Sequence, residues 1–194
     1  MAIPLNGTSW IGSGSTDGRI NLTRVRNRVW GREMPGPAIA GTCSNILFSG
    51  MGSEALYHLL DPGNAHRLRD AEVFDHAVDP DQLAKFLADE GHVLVFTTIG
   101  DAVVGFASGT ILLHPDKQPI FFVNEVGVRE ASRRQGIATA LCEMLIDVAR
   151  ARGCKGVWLA TEADNHAARA LYRRLNARET RDLVAYDWDG AMGK

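Results

Sequence analysis

Residues 120–145 read IFFVNEVGVREASRRQGIATALCEML, and this stretch decides the fold. Its first nine residues, 120–128, are an apolar run of strand length, rich in β-branched and aromatic side chains. They read as a strand buried on both faces. From about Ile137 the period changes. Leu141, Met144, Leu145, Val148 and Ala149 fall at i, i+3, i+4, i+7 and i+8, one face of an amphipathic helix that Gly153 is placed to end. Between strand and helix lies Arg133-Arg134-Gln135-Gly136-Ile137-Ala138. A glycine there lets backbone approach a ligand closely, and Ala138 leaves the first helical turn uncrowded. The free N–H groups of that turn, the helix dipole and two arginines make an anion site whose natural guest is a diphosphate. A plain helix start with solvated arginines would carry the same letters, and neither a Walker motif nor GxGxxG is present.

Outward from this unit the chain alternates strands and helices. Upstream, EALYHLL (54–60) is a short strand, Asp79-Pro80 a helix start with Asp as N-cap and Pro at the first helical position, and Gly91 that helix's end. HVLVFTTI (92–99), the turn Gly100-Asp101 and AVVGFASGTILL (102–113) read as two antiparallel strands. Downstream, GVWLAT (156–161) reads as a strand. A helix starting near Asp164 or Asn165 carries Ala168, Leu171, Tyr172 and Leu175 on one stripe, and LVAYDW (183–188) reads as a last strand. This order gives a strand-rich α/β domain with a mixed sheet.

Composition narrows the function. The 194 residues carry a formal charge of −2, which counts against nucleic acid or an anionic membrane as the main partner. No apolar run reaches the ~18–20 residues of a bilayer span, and MAIPLNGTSW lacks the basic start and apolar stretch of a secretory signal. Three cysteines, Cys43, Cys142 and Cys154, show no CxxC spacing, and the six histidines make no HxxxH. The expectation is a cytoplasmic protein with no metal and with cysteines used as small apolar residues. Residues 1–50 hold 8 of the 20 glycines and a net +3, so the remaining 144 residues carry −5. Residues 1–50 read as a leader and 51–194 as the domain, with regular patterning beginning just after Met51.

Two segments bear a family resemblance. The run NEVGVREASRRQGIATALCEML resembles the acetyl-coenzyme-A motif of the GNAT N-acetyltransferase superfamily, Arg/Gln-x-x-Gly-x-Gly/Ala, on Arg133, Gly136 and Ala138. GVWLATEADNHAARALYRRL resembles its second half, with Asn165, Ala168, Leu171 and Tyr172 in place. Asn176 stands where the family usually has glycine, and Asn tolerates the left-handed backbone such a helix end needs. Within the superfamily the chain looks most like the aminoglycoside 3-N-acetyltransferases. The resemblance implies a mixed, mostly antiparallel central sheet flanked by helices, with a V-shaped splay at the cofactor strand. It implies acetyl-CoA as co-substrate, paired along Val126, Gly127 and Val128. Its pyrophosphate would lie on the turn Arg133, Arg134, Gln135, Gly136, Ile137, Ala138 and Thr139, and its pantetheine arm beside Asn165 and Ala168. Tyr172 would protonate the departing thiolate.

Glu125, inside the apolar run, is costly as a carboxylate unless paired or raised in pKa. It reads either as a solvated edge residue or as the general base for an amine. His114 is a competing base. Glu179, Asp182, Asp187 and Asp189, opposed by Arg181 alone, form an acidic cluster suited to a polycationic acceptor. Asp75, Asp79 and Asp81 form a second acidic group. The reading is an N-acetyltransferase acting on an aminoglycoside amine by direct attack in a ternary complex, with a homodimer as the candidate assembly. The alternatives are another small amine, a protein N-terminus, or a non-catalytic CoA-binding module.

Overall fold

The computed structural model describes residues 46–48 and 55–186. One six-stranded sheet runs β1 (Ile46–Phe48), β2 (Ala55–Leu59), β3 (His92–Ile99), β4 (Ala102–Leu112), β5 (Ile120–Val128) and β6 (Val157–Trp158), in that spatial order. Every neighbouring pair is antiparallel except β5 and β6, which are parallel. The helices are α1 (Pro80–Ala88), α2 (Ile137–Ala151) and α3 (His166–Arg174). The expected mixed, mostly antiparallel sheet flanked by helices is the architecture found. Its first strand, β1, lies before Met51, within the stretch read as a leader.

Strand alternation sorts the two faces of the sheet. One face buries Leu94, Phe96, Val103 and Phe106 with Leu68, and Phe74, Leu83 and Phe86 pack against them from α1 and the segment before it. Phe96 and Phe106 sit directly opposite each other across β3 and β4. The other face takes α2, which buries Leu141, Leu145, Val148 and Ala149 chiefly against β4 and also against β3 and β5. A Cβ on Gly105 would stand 3.0 Å from Ile137 and 3.2 Å from Leu141, so the helix lies hard against β4 there.

Local signals set the helix limits largely as read, except that α1 stops at Ala88, three residues before the Gly91 expected to end it. The Asp79 carboxylate accepts from the N–H groups of Asp81 and Gln82, with Pro80 at the first position. Gly153 adopts φ +80° just past α2, and Asn176 adopts φ +60° just past α3.

Three strand expectations are corrected. The 120–128 run is not buried on both faces: Phe121 and Val123 are buried, but Asn124 and Glu125 are exposed. The cause is that β6 pairs with β5 only at Phe121–Val157 and Phe122–Trp158. Residues 156–161 yield only the two-residue β6, and Leu183–Tyr186 are exposed and form no strand. Asp187 and Trp188, the rest of that expected strand, lie outside the described residues.

Candidate active site

Beyond Phe122 the outer edge of β5, through Val128, has no strand neighbour among the described residues. Its N–H and C=O groups on that side are open to an extended ligand, as on any edge strand. This is the opening between β5 and β6 expected at Val126, Gly127 and Val128.

A bulge sits at the head of that edge. β4 and β5 pair Gly109 with Val123 and then Ser108 with Glu125, so Asn124 is an extra residue on β5. The Asn124 Nδ2 donates to Thr110 Oγ1 at 2.9 Å, which holds Asn124 on the face that carries Thr110 and Ser108. Glu125, opposite Ser108, is on the same face. Without the extra residue, one of the two would point the other way. Two consecutive polar residues in an apolar run were the sequence signal for this bulge.

Gly127, two residues on, faces the same way. A Cβ there would lie 2.6 Å from the Phe106 ring and 3.4 Å from the Val73 carbonyl, so glycine is what lets the 72–75 segment cross β5 closely. That crossing brings Asp75 to Glu125. Although Glu125 reaches solvent, desolvation by the strand edge pushes its carboxyl above the ordinary range, and the Asp75 charge pushes it further. His114 follows the end of β4, whose last residue is four positions or ~13 Å of strand from Ser108. The structure does not bring it to Glu125.

The start of α2 fits a phosphate group. Gly136 takes φ +82° and Arg134 φ +64°, so the chain turns through left-handed backbone into the helix. Nothing lies within 4 Å of where a Gly136 Cβ would be. The Ala140 N–H makes the first bond, to the Gly136 carbonyl at 3.0 Å. The N–H groups of Ile137, Ala138 and Thr139 therefore remain at the helix mouth. The Ile137 side chain is buried, so only its backbone can serve a ligand. Arg133 Nε donates to the Val128 carbonyl at 3.2 Å and Gln135 Nε2 to the Ala131 carbonyl at 3.4 Å, tying the turn to the residues before it.

On α3, the Asn165 side chain accepts from the Ala168 N–H at 3.1 Å. It is the helix N-cap, which occupies its oxygen and that N–H and leaves its Nδ2 for a ligand. Tyr172 is half-buried, and burial and then neighbouring Cys142 push its phenol above the usual value. Cys142 is itself buried in α2 and pushed up to about 12 by burial. Tyr172 therefore approaches from the α2 side of the sheet, and its hydroxyl keeps its proton at neutral pH.

The C-terminal acidic cluster is corrected in part. Glu179 faces three arginines: Arg169 at 2.9 Å, Arg173 at 2.6 Å and Arg181 at 3.1 Å. Their hydrogen bonds hold its pKa down to about 2. A carboxylate so committed is not free to grip a cationic acceptor. Arg169 and Arg173 share a face at i, i+4, a signal the sequence already held. Asp182 is exposed, at φ +62°. Asp187 and Asp189 lie outside the described residues.

A shallow cleft of about 230 Å³, lined in part by His66, Arg67, Asp70 and Arg129, contains neither Glu125 nor the start of α2. The fold thus combines an open strand edge, a helix start with free N–H groups, a carboxyl of raised pKa on one face and a protonated phenol on the other. That set defines a class: a domain whose open strand edge and free helix-start N–H groups suit an extended, phosphate-bearing ligand. The model of the Acetyltransferase (GNAT) family matches residues 50–177, and the chain belongs to that family.

Among curated proteins, the chain is 35% identical over 69 residues to N-alpha-acetyltransferase 30 of Schizosaccharomyces pombe, covering 36% of this chain and 46% of that protein. It is 36% identical over 96 residues to mycothiol acetyltransferase of Nocardia farcinica, covering 49% of this chain and 31% of that protein. The chain thus spans less than half the length of either curated relative. An aminoglycoside acetyltransferase, meta-AAC0020, from an uncultured soil metagenomic sample in complex with sisomicin superposes with a TM-score of 0.61 at 15% identity. It covers 69% of this chain and 95% of that one. The aminoglycoside acetyltransferase AAC(6')-Iy, bound to a CoA bisubstrate analogue, gives a TM-score of 0.59 at 17% identity, covering 69% and 97%. These two likenesses concern the fold. Among the described residues no helix is long and apolar enough to cross a membrane.

Proposed function

We propose that this GNAT enzyme moves acetyl from acetyl-CoA to a primary amine of a small cationic acceptor, with an aminoglycoside as the substrate class. The observation that carries this is Glu125 beside Asp75, on an open sheet face at the head of the unpaired β5 edge. Two carboxylates there attract an ammonium group, and the one with the raised pKa is suited to take its proton.

The chain's own groups divide the work. The N–H groups of Ile137, Ala138 and Thr139, with Arg133 and Arg134, would hold the pyrophosphate of CoA. The edge of β5 at Val126, Gly127 and Val128 would pair with its amides, and the Asn165 Nδ2 would reach the same arm. When bound, acetyl-CoA supplies an activated thioester. Glu125, directly or through one water, accepts a proton from the acceptor ammonium so that the neutral amine can attack. Tyr172, on the opposite side of the sheet, donates a proton as the thiolate leaves. The acceptor enters on the Glu125 face, which makes a ternary complex the natural route. Cys142 and Cys154 as free thiols suit a reducing cytoplasm.

The match to an N-alpha-acetyltransferase favours a protein N-terminus as the second reading. Release of free CoA from acetyl-CoA separates them, using gentamicin, spermidine and a short peptide as acceptors. Turnover on gentamicin supports the proposal. Turnover on the peptide alone favours the second reading, and no thiol release with any amine overturns both.

A further inference from the structure

Trp158 is 48% exposed and Phe122 half-buried, and their rings lie 4.5 Å apart at 55°. A tryptophan left so open is unusual unless one end serves a partner. The strand register shows where it faces. Phe122 pairs with Thr110 across β4 and with Trp158 across β6. Thr110 shares its face with Ser108, and Ser108 with Glu125. The Phe122–Trp158 pair, Asn124 and Glu125 are therefore successive features of one sheet face, at the point where β5 and β6 part.

We propose that Trp158, backed by Phe122, is the platform for a second ammonium-bearing group of the acceptor, held while the reacting amine lies at Glu125. Phe122 and Glu125 stand opposite Thr110 and Ser108, two positions apart on β4, ~7 Å along the sheet, and Trp158 lies one strand further out than Phe122. That span fits two amines on linked sugar rings or at the ends of a polyamine, and it exceeds a single amino sugar. The π-face of an indole is the strongest aromatic cation acceptor, and the carboxylates of Glu125 and Asp75 keep this face attractive to positive charge. The Thr110–Asn124 pair lies between the two ends and offers polar groups to the hydroxyls of a linking ring. This inference deepens the proposed function and rests on its acceptor face.

The test compares the intact protein with Trp158→Leu and Trp158→Phe. Calorimetric titration with gentamicin and spermidine, each carrying several ammonium groups, is run beside glucosamine, which carries one. Trp158→Leu should weaken binding of both polycations roughly three- to thirty-fold and leave glucosamine unchanged, with Trp158→Phe retaining most of the affinity. The KM for acetyl-CoA and the Tm should stay near those of the parent. Equal binding of gentamicin by parent and Trp158→Leu overturns the platform, as does an equal loss for all three ligands. Absence of thiol release with every amine strikes the proposed reaction instead, because the titrations read binding without turnover.

Discussion

The hairpin β3–β4 and the pair β5–β6 are neighbours in one sheet, yet they are built for opposite ends. β3 and β4 stay paired from His92–Thr110 to Ile99–Ala102, with Phe96 and Phe106 both almost wholly buried. β5 and β6 stay paired for two residues and then separate. On the hairpin, helices or helical turns cover both faces. On β5, a bulge and an unpaired edge leave Asn124 and Glu125 exposed. The hairpin holds stability, and the open pair holds binding groups whose hydrogen bonds the fold leaves unmade. On the proposed function, a ligand supplies on β5 what β4 supplies on β3.

The comparison is broken most directly at Phe96, which has no exposed surface and stacks on His58 at 4.8 Å. Phe96→Ala should cost about 3–5 kcal/mol of unfolding free energy, read from the midpoint of a urea titration. A loss below about 1 kcal/mol would mean the hairpin is not where stability is held.

The second effect lies in the open pair and should spare stability. Glu125→Gln should lower kcat/KM about a hundredfold or more, or ~2.7 kcal/mol, if Glu125 is the general base. The parent should show a rise of kcat/KM with pH whose midpoint lies above the ordinary carboxylate range. Asp75→Asn should move that midpoint down, because it removes the repelling charge. Ionising a carboxyl whose folded pKa is raised opposes folding. Glu125→Gln should therefore leave Tm at pH 7 equal or slightly higher. An unchanged rate with an unchanged pH limb would return Glu125 to a solvated edge residue.

The same contrast decides what could be read from the letters. Helix starts and ends were legible because they are local: Asp79-Pro80, Gly153 and Asn176 each act within a turn. The hairpin was legible because its pattern and turn are contiguous. The length of β6 was not, since Leu159 and Ala160 have strand-like letters and strand is decided by whether a neighbour stays alongside. Glu125 was singled out as an awkward charge in an apolar run, but its awkwardness came from a different source. The run is exposed there, and its pKa is raised by the strand edge and by Asp75, whose arrival depends on Gly127 lying below Val73. The acidic C-terminal cluster misled because charge was counted along the chain. Arg169 and Arg173 reach Glu179 from α3, six to ten residues away.

The smallest effect sharpens the comparison by asking what holds the open half in place of a core. After α3, the chain is tied back by Glu179, whose carboxylate bonds Arg169 and Arg173 on the helix and Arg181 beyond it. Those contacts are on the surface, so each contributes little and salt weakens all of them. Glu179→Gln should therefore lower Tm slightly at neutral pH, by much less than Phe96→Ala. The folded pKa, about 2, lies below the ordinary carboxylate value. The contribution is accordingly complete above about pH 5 and declines as pH falls toward 2, where the folded carboxylate also takes a proton. Parent and variant should differ in Tm at pH 7, converge as pH approaches 2, and converge again at pH 7 in molar salt. The hairpin variant should show neither convergence, because apolar packing is indifferent to protons and is not screened. A Glu179→Gln deficit that persists at low pH and high salt would mean that shape rather than charge anchors α3 to the chain that follows it.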